Sequence, residues 1–553
     1  DDRFERGSAQ LDRSMSVATL LQRGAYLEPV IAKRHLHKTG TLRYLTPHVI
    51  DLPDLPKVEE LPLDGADGLL VYVLPSDGVK QTDVVAAIQA AGPSLSPVRY
   101  AQTVFVVPHH LSGLRDALET LQTWKWVAAN TPELEGDGVA RRELAARLGS
   151  AKVNLDRAIS RSFAPSSSQH SSVWIWKGQP QPCSSRGDLA RLVSDLCDAV
   201  YPEAPIVLNE LVNRTSLSSA AAAARRNLIE RMVNNRDEFE LGIVGYPPEK
   251  SIYLSVLSAS RLHQAQGDRW AFGPPPADGD PNHVLPVWRA MQDFVVAAED
   301  APAPVTALYA RLRQPPYGVR DGLLPIYLAV FLSYHEHELA CYEEGTFVVQ
   351  MRAAEYERLM RAPERFSIQH YPQSKAHLDL LGGYVKLLSN EAVAQPITIP
   401  LAVRQLMRFA AGLPTYTRQT GSLSAEAKAV RASLLSAHEP PTLLYVDLPR
   451  DVGVPLDDDM QSTTAIIAAL RRALLELQQA YPKLLSNVEA ELCSAFRLPP
   501  DLPTARGQIA PRAAAIAEWI SDLSLKALAL RLADDSLADR AWLESVAAIV
   551  ASR

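Results

Sequence analysis

Apolar positions in the first 165 residues form short continuous runs and helical repeats. Gly68-Leu69-Leu70-Val71-Tyr72-Val73-Leu74 and Thr103-Val104-Phe105-Val106-Val107-Pro108 are bounded by Gly, Pro or Ser-Asp-Gly. That is the form of a strand buried on both faces. Between them Val84, Val85, Ile88 and Ala91 recur at helical spacing, and Leu111, Leu114, Leu118 and Leu121 follow the second run. A strand-helix-strand-helix order predicts a parallel sheet. A helix over 11–23 and extended backbone at Thr41-Leu42-Arg43-Tyr44-Leu45 are expected before it. Gly136-Asp137-Gly138 introduces a long helix over 139–163, with Asp137 placed to cap its free amides. The polar segment 164–172 predicts a domain boundary.

After that segment Val173-Trp174-Ile175-Trp176 predicts a strand, and helices are expected over 189–201, 208–213 and 217–232, with a further helical piece at 252–257. Arg269-Trp270-Ala271-Phe272-Gly273 then suggests a wing strand, and the order resembles a winged helix over 173–278. A comparable order follows over 280–372: helices at 305–312 and 323–334, a hairpin over 339–349 turning at Glu344-Gly345, and a helix at 353–360. From 373 to 553 the pattern is a helical array broken at Pro396, Pro400, Gly412-Leu413-Pro414, Pro440-Pro441 and Pro499-Pro500, with the polar Leu456-Asp457-Asp458-Asp459-Met460 expected as a loop. The expected fold class is therefore mainly α, with an α/β N-terminal part over 1–163.

With 553 residues, three or four packed units are expected, and 47% hydrophobic with 22% charged residues is a globular composition. Apolar stretches reach neither a membrane span nor a signal peptide, so a soluble cytoplasmic chain is expected. Cys183, Cys197, Cys341 and Cys493 form no C-x-x-C pair, which fits a reducing compartment and argues against a thiolate zinc site. A net charge of −7 repels a polyanion in bulk, so any nucleic-acid contact needs a local basic patch.

Tests for chemistry are mostly negative. A phosphate-binding loop needs clustered glycines followed by Lys, and no Gly-Lys pair exists; G-x-G-x-x-G and G-x-S-x-G are absent as well. His335-Glu336-His337-Glu338 has the wrong spacing for a helical metal site, because alternate residues on a helix diverge, and His35-x-His37 and His109-His110 lack completing ligands. No metal site is expected. Glu426-Ala427-Lys428 echoes part of a nuclease motif but lies in a helical stretch rather than on a strand.

Helix 217–232 is the best recognition-helix candidate, with Leu217, Ala221, Ala224, Leu228 and Met232 as its inward stripe. Ser219 and Arg226 then point outward, Arg225 flanks the stripe, and Asn213 and Arg214 occupy the preceding turn; these five are the candidate DNA contacts. Glu230 shares the outer face and acids nearly balance bases, so a protein-facing surface is the competing reading.

Three further stretches bear on family. Leu192-Val193-Ser194-Asp195-Leu196-Cys197-Asp198-Ala199-Val200-Tyr201, Asn209-Glu210-Leu211-Val212-Asn213-Arg214 and Leu217-Ser218-Ser219 onward to Arg226 resemble the large P-loop ATPases of bacterial phage-defence islands, the BREX-type ATPase and its relatives. Pro315 to Pro325 and Ala340 to Val348 add to the likeness, which covers roughly 120–550. It implies that residues 1–125 close a P-loop-type parallel sheet whose nucleotide-binding loop lies upstream, and the opening Asp1-Asp2-Arg3-Phe4-Glu5-Arg6 reads as the interior of a longer chain. It implies a non-catalytic portion that holds no cofactor itself, with ATP and Mg bound by the parent assembly. The partners implied are other defence-complex subunits and double-stranded DNA, with homo-oligomers as a further expectation; a protein-interaction module without nucleic acid is the alternative. Arg141 and Arg142, at the start of the long helix, are candidates for an arginine finger toward a neighbouring subunit's phosphates.

Overall fold

The structure, a computed structural model, describes residues 2–12, 14–76, 78–109, 111–131, 137–167, 172–299, 301–336, 338–371, 374–388, 399–436, 439–457 and 460–551. The chain divides into two compact units, one of 1–296, 304–334 and 352–363 and the other of 297–303, 335–351 and 364–553.

The first unit is built on a mixed sheet in sequential order: β1 (Val30–Ile31), β2 (Tyr44–Asp51), β3 (Gly68–Leu74), β4 (Thr103–Val107), β5 (Val173–Trp176) and β6 (Gln179–Gln181). β3 and β4 pair in parallel, as the two apolar runs predict, and β2 adds in parallel to β3, whereas β1, β5 and β6 join antiparallel. Alternation along the strands feeds two cores. Leu70, Tyr72, Leu74, Val104, Val106 and Trp174 face one, shared with helices Leu114–Asn130 and Arg186–Val200. Leu69, Val71, Val73, Phe105, Val107 and Ile175 face the other, closed by helix Gln81–Ala91. The long helix runs Gly138–Phe163, and the Asp137 carboxylate accepts hydrogen bonds from the Val139 and Ala140 amides at 2.8 and 3.2 Å.

Three sequence expectations change here. The strand Val173–Trp176, expected to open the following unit, is β5 of the N-terminal sheet, because its apolar residues pair against β4. The expected 11–23 helix forms only as Val17–Gly24, capped by the Ser16 hydroxyl. The order within 186–272 is otherwise close to expectation: helices Arg186–Val200 and Ser219–Asn234, a short helix Pro248–Ile252 continuing as a π-turn Tyr253–Ser258, and a hairpin of His263–Gln266 with Arg269–Phe272. Residues 208–213 form no helix; the Asn209 carboxamide accepts from the Leu211 amide and closes a turn instead.

Buried charge ties the unit together. The Arg43 guanidinium, fully enclosed, donates to Asp67 Oδ1 at 2.6 Å, to His35 Nε2 at 3.1 Å and to the Gly318 carbonyl at 2.8 Å, and it lies 3.7 Å over the Tyr201 ring. Arg320 donates to both Asp67 oxygens, at 3.0 and 2.7 Å. His35 Nδ1 meets Asp198 Oδ1 at 2.7 Å, and Asp198 also accepts from Arg34 at 2.6 Å. Since Arg43 has only donors, His35 Nε2 must accept, so the ring is neutral with its proton on Nδ1. Burial lowers the His35 pKa, outweighing the Asp198 hydrogen bond. Gly318 has φ +57°, and a Cβ there would stand 2.4 Å from the Tyr201 ring and 2.6 Å from Arg43 Nη2; this place accepts only glycine.

In the second unit, strand Leu339–Glu343 pairs antiparallel with Thr346–Phe347 and with Phe366–His370, and the hairpin turns at Glu344-Gly345, both with positive φ, as read from sequence. The helical array beyond it has two cores. Helices Lys375–Leu388, Ile399–Gly412 and Ala425–Ser436 pack with Ile466, Leu470 and Leu477, and the helices from Leu502 onward pack with Leu485 and Cys493. Both sets of partners lie on the single helix Met460–Phe496. The array is thus observed where the sequence places it.

Arg43→Ala is expected to cost about 3–5 kcal/mol, because it strands the Asp67 carboxylate in the core; an unchanged urea midpoint would contradict the network's role. His35 supplies a pH test. Unfolded His35 binds a proton near its ordinary 6.5 and the folded ring does not, so its stabilising contribution is full above that pH and falls as pH drops through it toward the lower folded value. Burial also lowers the pKa of His48 and His263, so His35→Gln should make the pH 7 to 5 loss of stability shallower without abolishing it. An identical slope in the variant would remove His35 from the account.

Candidate functional site

The five candidate DNA contacts separate by environment. Asn213 is buried, its amide donating to Thr41 Oγ1 at 3.0 Å and the Val207 carbonyl at 2.9 Å. It faces the protein interior and presents nothing to a duplex. Arg225, on helix Ser219–Asn234, is half-buried and donates to the Asp321 carbonyl at 3.2 Å; its expected place at the margin of the stripe is instead a packed one. Ser219, Arg214 and Arg226 are exposed. Arg214 is 2.7 Å from Glu210, and Arg226 is 3.8 Å from Glu357. The exposed cations are thus each matched by a carboxylate and do not sum to a positive patch. Arg141 and Arg142 lie exposed on the first turn of Gly138–Phe163, where the Arg142 Nε–H donates to the Gly138 carbonyl at 3.0 Å.

Among the described residues no cluster of three or more metal-binding side chains exists. His35 lies on helix Lys33–Thr39 in the ion network, His109 meets Gln81 at 3.3 Å, and His335 pairs with Glu338 at 2.9 Å; His337 and His110 lie outside the described residues. Glu426 and Lys428 lie on helix Ala425–Ser436, as expected. Burial pushes the thiols of Cys183, Cys197 and Cys341 up to about 12, so none supplies a thiolate at neutral pH.

A different surface of the first unit has the form of a binding site. Between helix Ser219–Asn234 and helix Pro248–Ile252 the backbone passes through three consecutive left-handed residues, Glu240 (φ 50°), Leu241 (φ 55°) and Gly242 (φ 62°). For the two that carry a Cβ this costs on the order of 1–3 kcal/mol each. The strain is held from within. Lys250, itself buried, pairs with the Glu240 carboxylate and donates to the Ile243 carbonyl at 3.4 Å, while Leu241 is fully enclosed. The consequence is a projecting tip: Val244 is 91% and Tyr246 93% exposed.

Behind the tip lies an open groove of about 400 Å³ lined by Tyr246, Pro247, Lys250, Ser251, Leu254 and Ser255. Its wall is the π-turn Tyr253–Ser258, in which the Ala259 amide bonds the Leu254 carbonyl five residues back. Such turns cluster at functional positions. Asn209, also buried, holds Ser251 Oγ at 3.2 Å and Ser255 Oγ at 2.8 Å, which fixes the hydroxyls along the wall. Leu208 beside it and Leu254 are exposed. Behind the wall, His263 receives the Tyr253 hydroxyl at 3.1 Å on Nδ1 and donates from Nε2 to the Arg236 carbonyl at 2.8 Å. Burial lowers its pKa and keeps it neutral. Apolar exposure, a concave wall and fixed hydroxyls are features of a recognition surface.

Sequence periodicity missed this site. Gly242, Gly245 and Pro247-Pro248 signal a turn, but nothing in the spacing shows that Glu240 would turn inward to Lys250.

Tyr246→Ala should leave stability within about 0.5 kcal/mol, since the ring touches mostly solvent. Lys250→Ala, which leaves Glu240 without its cation, should destabilise the tip and accelerate hydrogen exchange over 240–246. Equal protection in both variants would show that Lys250 does not hold the loop. Comparison of the chain with known proteins finds no matching family model, no similar curated protein and no similar solved structure.

Proposed function

We propose that this chain is the non-catalytic portion of a bacterial anti-phage defence ATPase assembly and that it acts as a scaffold, binding a neighbouring subunit through the groove at Tyr246 and Leu254. The observation that carries the scaffolding role is the projecting apolar tip held over a preformed groove at the cost of left-handed backbone. Strain of this kind persists where a surface has a task. The defence assignment rests on the stretches around 192–201, 209–214 and 217–226, and the non-catalytic assignment on the missing Gly-Lys phosphate loop. Three helices followed by a hairpin over 186–272 support a winged-helix-like reading of that region, a fold used for protein as well as DNA contact.

DNA engagement is the second reading, favoured by Ser219 and Arg226 facing outward on one helix. Pairing of Arg214 with Glu210 and of Arg226 with Glu357 sets scaffolding ahead of it.

The chain alone is expected to show no Mg-dependent ATP turnover. A labelled duplex at low salt should give no anisotropy change, whereas saturable binding lost in Arg214→Ala/Arg226→Ala would move the assignment to DNA. For the scaffold, affinity for each defence-complex subunit would be measured in turn. Tyr246→Asp/Leu254→Asp should weaken one of them about 30-fold or more, the loss expected of a central anchor. If every subunit binds both forms equally, the groove is not the contact.

A further inference from the structure

The long helix Gly138–Phe163 carries six cations, Arg141, Arg142, Arg147, Lys152, Arg157 and Arg161, against two carboxylates, Glu143 and Asp156, in a chain of net charge −7. All eight side chains are exposed. Inward, Leu148, Ala151, Leu155 and Ile159 pack on the core shared with helix Leu114–Asn130, so the charged side of the helix faces away from the sheet. Arg147 is matched by Glu143 at 2.8 Å, whereas among the described residues Arg141, Arg142, Lys152, Arg157 and Arg161 form no ion pair. In this they differ from Arg214 and Arg226, each of which has its carboxylate.

The same side has an apolar lane. Val139, Ala146, Gly149 and Val153 follow the three-and-four spacing of a helix-pairing seam, opposite the inward stripe. Val139 is 68% and Val153 47% exposed, and a Cβ placed on Gly149 would have nothing within 4 Å. Glycine inside an exposed helix costs about 1 kcal/mol relative to Ala. No contact of the described chain offsets that cost, and the missing side chain lets a second backbone approach closely. Arg141 and Lys152 flank the lane on one side, Arg157 and Arg161 on the other; Asp156, on the Lys152 side, reduces the positive excess without cancelling it.

Charge selects the occupant. A second copy of this helix would set cations against cations, and a bare phosphate backbone would meet the cations and leave Val139 and Val153 uncovered. An acidic amphipathic helix answers both features, with small apolar residues on the lane and carboxylates at the flanks, where paired helices choose their partners. We propose that the outer face of Gly138–Phe163 is the docking site of an acidic amphipathic helix from a partner protein. Its carboxylates pair with Lys152 and Arg157 across the seam, and its apolar residues cover Gly149 and Val153. The contact does not depend on the groove at Tyr246.

The test is fluorescence anisotropy of the full chain with labelled helical peptides about three heptads long. One peptide carries Ala and Leu at the seam positions and Glu at the flanks, a second has Lys flanks, and polyglutamate and a DNA duplex are the charge-only probes. The Glu-flanked peptide should bind, more weakly as salt rises, and the other three should not. In Lys152→Glu/Arg157→Glu its affinity should fall about tenfold or more and the Lys-flanked peptide should begin to bind, because the flanking charges are reversed. Lys152→Gln/Arg157→Gln should show the loss without the gain, and in both variants the melting temperature should stay near that of the unaltered chain, the exchanged side chains being exposed. No binding of the Glu-flanked peptide at hundreds of micromolar, or an unchanged preference in the charge-reversed variant, overturns the proposal. Polyglutamate or duplex binding equal to that of the Glu-flanked peptide also overturns it and reassigns the face to a polyanion.

Discussion

The first unit depends on one enclosed cation. Arg43 stands between β1 and β2 and reaches a helix, a strand entrance and a distant loop at once: His35, Asp67 and the Gly318 carbonyl. Desolvating a guanidinium is costly unless its donors are met in good geometry, and here three different partners and an aromatic face meet them. Because Asp67 is shared with Arg320, no member can shift alone. Such a network specifies position more than it adds free energy. It fixes the 314–323 loop against the entrances of β2 and β3, and Asp321 in that loop holds Arg225 in turn. Groups separated by almost 280 residues in sequence thus have one permitted arrangement.

That dependence explains where sequence reasoning succeeded. Runs such as 68–74 and 103–107 state their burial locally, since a strand apolar at every position is buried on both faces. Asp137 before its helix and Glu344-Gly345 in its hairpin are equally local signals. Arg43 offers no such sign: its burial depends on an aspartate 24 residues away and a glycine carbonyl 275 away. Asn213 and Arg225 fail for the same reason. Helical spacing places a side chain on a face but does not say whether another segment covers that face, and residues near 41, 207 and 321 do so here.

The groove sets a complementary lesson about cost. Left-handed conformations at Glu240 and Leu241 oppose folding, and the unit offsets them by enclosing Leu241 and by pairing the buried Lys250 with the half-buried Glu240 carboxylate beneath the tip. Free energy drawn from the interior holds apolar atoms in water, the reverse of what a chain selected only for stability would do. Burial likewise raises the pKa of the Cys183, Cys197 and Cys341 thiols and lowers that of His263, so these groups are uncharged at neutral pH.

The helix Met460–Phe496 has a mechanical consequence. Its 37 residues make a rod of about 55 Å, with Ile466 to Leu477 embedded in one core and Leu485 to Cys493 in the other. Pro482 falls between the two footholds and removes one rung of the hydrogen-bond ladder there. Tyr481 beside it packs on the second core and lies 6.2 Å, ring to ring, from Tyr416, so the missing rung falls at the margin of that core. One uninterrupted helix thus serves two cores in turn, so the position of each is set by the other's grip on the same 37 residues.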